Sequence, residues 1–174
     1  MRFFNDVLTE FPSIVLGIFS YTLLVLLIGF SVTAGAFALA IIMIPVVSRT
    51  TEEAIKLVPA TVREAAIALG IPRWKTTVTV VLSGAKEGIV TGILLSVARI
   101  SGESAPILLT MGYWRWWFSG FNKPVASLAL DIYYFAISPF ANWRAIAWGA
   151  SLVLILLILG ISMGVRFFTR EKYK

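Results

Sequence analysis

FPSIVLGIFSYTLLVLLIGFSVTAGAFALAIIMIPVV, residues 11–47, carries no charged side chain. A helix that crosses a bilayer needs about 20 predominantly apolar residues, so this run has room for two. Gly29, Ser31, Thr33 and Gly35 cluster in its middle, and such residues favour a turn. The stretch therefore reads as a helical hairpin, with one helix over about 12–29 and a second over about 34–49 that can extend into the polar segment beyond. The second opens AGAFALA (34–40), whose small side chains let a neighbouring backbone approach closely in a membrane.

The rest of the chain keeps this character. Of 174 residues 59% are hydrophobic, with a mean hydropathy of +0.89, against about 45–50% apolar usage in soluble domains. Residues 49–87 mix charge with helix formers and are punctuated by Pro59 and Pro72, which suggests a loop of short helices. Residues 88–110 read as a third span and 144–165 as a fourth. Between them lies a polar and aromatic stretch whose GYWRWWFSGF (112–121) resembles an interfacial belt. The N-terminal MRFFNDVLTEF does not read as a signal peptide, because Asp6 and Glu10 precede the apolar run and no small-residue cleavage site follows a short core. The expected fold is all-α and polytopic: a single transmembrane domain over 1–174 with about four spans and a cytoplasmic loop at 49–87 within it.

The net charge is +6. In such a chain that surplus follows the positive-inside rule rather than nucleic-acid binding. Of the fifteen Lys and Arg residues, Arg2, those from Arg49 to Lys86 and those from Arg166 onward, eleven in all, fall on one side. Arg115, Lys123 and Arg144 fall on the other, and Arg99 remains within the membrane. Both termini and the 49–87 loop are thereby assigned to the cytoplasm, with anionic lipid as the partner of the basic residues. There is no cysteine and no histidine. Neither a disulfide nor a thiolate metal site can form, and no metal or cofactor is expected.

On a helical wheel over residues 84–106, Gly84, Gly88, Gly92 and Ser96 recur every four residues, and Arg99, Glu103 and Pro106 share their face. That face should meet protein or a watery cavity. A charge at the bilayer centre costs about 2.5–3.5 kcal/mol even on the lenient insertion scale. One reading is an ion pair at i, i+4 that neutralises itself and serves packing alone. The other is a polar element of a solute pathway, the default for ionisable residues inside a membrane. Pro106 adds to the second, since it leaves the carbonyl of Gly102 unbonded in a continuous helix.

VREAAIALGIPRWKTTVTVVL, residues 62–82, predicts a short helix from Val62 to Leu69, capped by Gly70 and stopped by Pro72. An interfacial helix resting on headgroups through Arg63, Arg73 and Lys75 has the same pattern. The stretch resembles the coupling loop of ABC-importer permeases, whose signature Glu64, Ala65, Ala66 and Gly70 match. In its usual ending Val80 stands for Ile, Leu82 matches and Ser83 replaces a proline. The likeness is closer to the phosphate-importer permeases, in particular their A-type subunit. PSIVLGIF (12–19), IMIPVVSRTTEEAIKLVP (42–59), ARISGESAPILLT (98–110) and ASLALDIYYFAISPF (126–140) resemble that family's segments in order.

The resemblance implies a permease subunit of an ATP-driven phosphate importer in the cell membrane. It is not an enzyme, since no Gly-x-x-x-x-Gly-Lys-Ser/Thr loop is present. It implies a separate ATP-binding subunit docked on the 61–72 helix through Glu64, Ala65, Ala66 and Gly70. It also implies a second permease subunit, an extracytoplasmic phosphate-binding protein on the outer surface around 111–143, and phosphate passing near Arg99 and Glu103. The family usually carries two further spanning helices ahead of the Pro-Ser-Ile-Val segment. A truncated or accessory subunit that assembles without transporting is therefore one rival, and a permease for another oxyanion is a second.

Overall fold

A computed structural model describes residues 10–170, and every regular element among them is helical. Arg2, Lys172 and Lys174, counted above for orientation, lie outside these residues. The first helix, α1 (Ser13–Ile28), contains a π-helical turn at Tyr21–Val25 and stops at Gly29, whose φ of +80° takes a conformation that glycine adopts freely. The hairpin read in 11–47 is present, with a tighter turn. The return helix, α2 (Val32–Lys56), begins at the Ser31 cap and runs through the charged residues that follow the apolar run. Ion pairs one turn apart support that extension, Arg49 with Glu53 at 3.4 Å and Lys56 with Glu52 at 2.7 Å.

Most of 49–87 is consequently helix rather than loop. After Pro59 comes α3 (Ala60–Ala68), and after Pro72 comes α4 (Arg73–Ile100). The segment TTVTVV, Thr76–Val81, is π-helical. Its β-branched residues are stiff at χ1 and fit a regular helix poorly. Thr77 and Thr79 donate their hydroxyls to the carbonyls of Arg73 and Lys75, which also disturbs the ladder.

The third crossing departs from the expected 88–110 span in both start and continuity. Its helix begins at Arg73 and ends at Ile100, residues 101–104 form a turn, and a short helix, α5 (Ala105–Thr110), follows. Pro106 lies in the first turn of α5, where a missing N–H leaves no bond unmade. It starts a helix and does not bend one. Within the aromatic stretch lies α6 (Leu128–Ala136), an element the sequence reading did not contain; the Ser127 hydroxyl caps it by accepting from the Leu130 N–H. The last helix is α7 (Ala141–Arg170).

Among the described residues three helices are long and apolar enough to cross a membrane: α2, α4 and the Ala141–Val165 part of α7. The apolar α1 is shorter, about 24 Å at 1.5 Å per residue. The expectation of about four spans becomes three full-length helices and one short one. The Ser31 N–H donates to the carbonyl of Thr110, so the 29–31 turn and the end of α5 share one end of the bundle. Val58 lies beside Gly84 at the opposite end, with α3 between α2 and α4.

Helices α2 and α4 meet along a glycine seam. A Cβ on Gly88 would lie 2.9 Å from the Cβ of Ala54, and one on Gly92 would lie 2.5 Å from the Thr50 hydroxyl. The small stripe does face protein, as its spacing implied. Beneath the aromatic stretch, Ile107, Met111, Ala129 and Leu130 form a buried cluster with Leu39 and Tyr134 against it.

Candidate functional site

The seam sets the depth of the charged residues. Val58 faces Gly84, Ala54 faces Gly88 and Thr50 faces Gly92, so the two helices run antiparallel in a constant register. Continued, that register brings Arg99 level with Met43, about 16 Å along α2 from Val32 at 1.5 Å per residue. The hydrocarbon core is about 30 Å thick. The end of α4 therefore lies level with the middle of α2, a helix long and apolar enough to cross a membrane.

There the helix tightens and stops. The Gly102 N–H donates to the Arg99 carbonyl and the Glu103 N–H to that of Ile100, both one residue short of the α-helical partner. Arg99 is exposed in the last turn of α4, where a cation meets the negative end of the helix dipole. Ser101 and Gly102 are exposed, and Glu103 is half-buried in the turn. Among the described residues Arg99 and Glu103 make no ion pair with each other. The wheel placed them on one face by assuming a continuous helix, and the helix ends between them. Non-helical backbone at this depth is tolerated only where protein covers it or where it lines a water-filled cavity. This exposed arginine and the turn beside it therefore require a second protein surface or an aqueous path.

The other sequence-derived residues lie at the opposite end. Helix α3 ends in a Schellman motif: the Gly70 N–H donates to the Ile67 carbonyl and the Ile71 N–H to that of Ala66. Gly70 has φ +81° and nothing within 4 Å of where a Cβ would sit. Glu64, Ala65 and Gly70 are exposed, while Ala66 is the one buried residue of α3. Ala66 is buried on a helix that packs against the π-helical segment Thr76–Val81 of its own chain, and Glu64 and Ala65 are left outward. Leu57 and Leu69 are each 82% exposed, which makes this elbow apolar as well as open. The seam stands between the elbow and Arg99, so the two sets of residues form separate sites.

The end of the bundle that holds the 29–31 turn carries features the sequence reading missed. The first N–H groups of α2 are satisfied from far along the chain, Val32 donating to the Lys123 carbonyl and Thr33 to that of Phe121. The Thr33 hydroxyl donates to the Asn122 side-chain oxygen at 3.2 Å. Gly112, at φ +71°, lets the chain pass Phe30, whose Cβ would lie 2.9 Å from an added methyl. The Tyr113 hydroxyl donates to Asp131 at 2.7 Å. Burial and this bond to a carboxylate push the phenol up to about 12. A signal was available, since Asp131 is the only acid between Glu103 and Glu171. No group of three or more metal-ligating side chains occurs among the described residues.

A family model described as binding-protein-dependent transport system inner membrane component matches residues 1–171. The phosphate transport system permease protein PstA of Xylella fastidiosa (strain 9a5c) is 49% identical over 95% of this chain and 58% of its own length. That of Yersinia pestis is 44% identical over 99% of this chain and 59% of its own length. PstA 1 of Mycobacterium tuberculosis (strain ATCC 25618 / H37Rv) is 44% identical over 96% and 56%. The chain thus spans somewhat under two thirds of the length of these relatives. No solved structure matches it.

Proposed function

The chain belongs to the family of binding-protein-dependent transport system inner membrane components, and from that membership we propose that it forms part of the membrane pathway of an ATP-driven phosphate importer. Family and apolar helices together make it a membrane protein. Phosphate as the solute follows the names of the relatives.

The observation that carries the site is the interruption of the third crossing near mid-depth, with Arg99 exposed at its edge and Glu103 in the turn. Interrupted helices near the midplane are where transporters commonly bind their solutes. An arginine offers phosphate a planar fork of donors. Glu103, a few residues on, opposes tight trapping of the anion and so favours release, a requirement of any conducting path. A second permease subunit would cover the exposed face around Arg99.

The elbow is the proposed seat of an ATP-binding subunit, with Glu64, Ala65 and Gly70 presented to it and Ala66 seating the helix. A phosphate-binding protein would meet the outer end. The lysine and arginine asymmetry supports cytoplasmic termini.

The test is phosphate uptake by cells carrying the chain with its partner subunits, in a background where the native chain is active. Arg99→Gln removes charge and fork, and Arg99→Lys removes only the fork. Both should depress uptake, Gln more than Lys, with membrane levels unchanged. Native uptake by the double variant Arg99→Gln, Glu103→Gln would show that the path lies elsewhere.

A further inference from the structure

The outer stretch 114–121 has a role that the transport reading does not use. Trp116 and Trp117 are 74% and 91% exposed, and Trp114, Phe118 and Phe121 are exposed beside them. Phe118 and Phe121 stack edge to face, with ring centroids 5.2 Å apart. Such a contiguous apolar patch marks an interaction surface.

Its height is fixed by hydrogen bonds. The carbonyls of Phe121 and Lys123 accept from Thr33 and Val32, the first turn of a membrane-crossing helix. The C-terminal end of the stretch, at Phe121, therefore lies level with the end of the span, and the exposed aromatics lead into it. This is the layer in which tryptophan and tyrosine concentrate, with an apolar ring towards the chains and a polar edge towards the headgroups. Charge agrees with the height. No acid occurs between Glu103 and Asp131, and Asp131 is occupied by Tyr113. The Arg115 guanidinium lies over the rings of Phe135 and Trp143, 5.2 and 5.4 Å from their centroids. That contact holds one side of the stretch to α6 and α7 while its neighbours Trp114 and Trp116 remain outward.

We propose that residues 114–121 anchor the outer end of the bundle in the phospholipid headgroup layer, with Trp116, Trp117, Phe118 and Phe121 as the inserted side chains. Energy separates lipid from a soluble protein partner. Returning a buried large apolar side chain to water is unfavourable. A partner that docks and leaves in every cycle would return four such side chains to water each time, whereas lipid covers them throughout.

The experiment compares the full chain with Trp116→Phe, Trp117→Phe in vesicles of phosphatidylethanolamine and phosphatidylglycerol. The difference in emission isolates the two tryptophans, and phenylalanine keeps the apolar rings. With phospholipids brominated near the headgroup, the difference emission should fall to about half or less, as befits rings at headgroup depth. It should be nearly insensitive to aqueous iodide. Quenching by iodide but not by brominated lipid would overturn the proposal. So would a difference emission that lipid leaves unchanged but that shifts when purified phosphate-binding protein is added, which would make the stretch a protein-docking surface.

Discussion

At Gly92 an added methyl group would lie 2.5 Å from the Thr50 hydroxyl; at Gly70 it would meet nothing within 4 Å. Both positions need glycine, for opposite reasons. Gly92 has ordinary helical backbone and no room, whereas Gly70 has room and a φ of +81° that side chains disfavour. The seam and the elbow differ in the same way. Lipid tails are as apolar as leucine, so the hydrophobic effect drives little association of α2 with α4, and close backbone contact does that work. At the elbow the chain must reverse sharply and still leave one face of α3 open. The reversal uses conformational freedom, and packing is nearly absent.

The largest break in this contrast is Gly92→Leu. The side chain would have to displace Thr50 in a packed seam, and the variant should lose about 3 kcal/mol or more, since overpacking usually costs 1–3 and the close approach here is to Cβ as well as hydroxyl. Thermal unfolding in detergent checks it, and a native midpoint would mean that α2 and α4 are not held at this distance. A smaller and more specific effect belongs to Gly88→Ala, expected at about 1–2 kcal/mol. The atom in its way is the Ala54 Cβ, so Gly88→Ala with Ala54→Gly should recover most of the loss, the non-additivity that marks a direct contact. If the two changes simply add, the register of the seam is wrong. The smallest effect is at the elbow. Gly70→Ala should cost about 1 kcal/mol through backbone strain alone, and Gly70→Asn less, because asparagine tolerates the left-handed region. Equal losses for the two substitutions would count against backbone strain as the cause.

These positions also divide what the sequence made legible from what it did not. The seam was readable because glycine at i, i+4, i+8 can only line one helix face. The elbow was readable because Gly70 and Pro72 stop a helix in a way independent of the rest of the chain. The hairpin of 11–47 needed only length and composition. The break at 101–104 escaped because a wheel presumes continuity. Ser104 followed two residues later by Pro106 was nonetheless a helix-start signal. Helix α6 had its own sign in Ser127 and Asp131, obscured by the aromatics around it. Exposure of Arg99 and its separation from Glu103 depend on where α4 ends, which is a tertiary matter. Ser31 was the local signal for the start of α2, but the rest of its cap, the acceptors of Val32 and Thr33, had none, because they lie some ninety positions downstream.

That cap has a consequence for the order in which the protein is built. A chain made from its N-terminus threads α2 into the bilayer while residues 121–123 are still to be synthesised. Until they arrive, the N–H groups of Val32 and Thr33 have only water as partner. Their final acceptors come within reach only after α3 has turned back and α4 and α5 have returned the chain to the same face of the membrane. Closure of this end is therefore a late event in biogenesis, and it is conditional on every intervening crossing. A chain that failed one reinsertion would leave Lys123 on the wrong side and the start of α2 unfinished, exposed to exchange and to the proteases that remove misassembled membrane proteins.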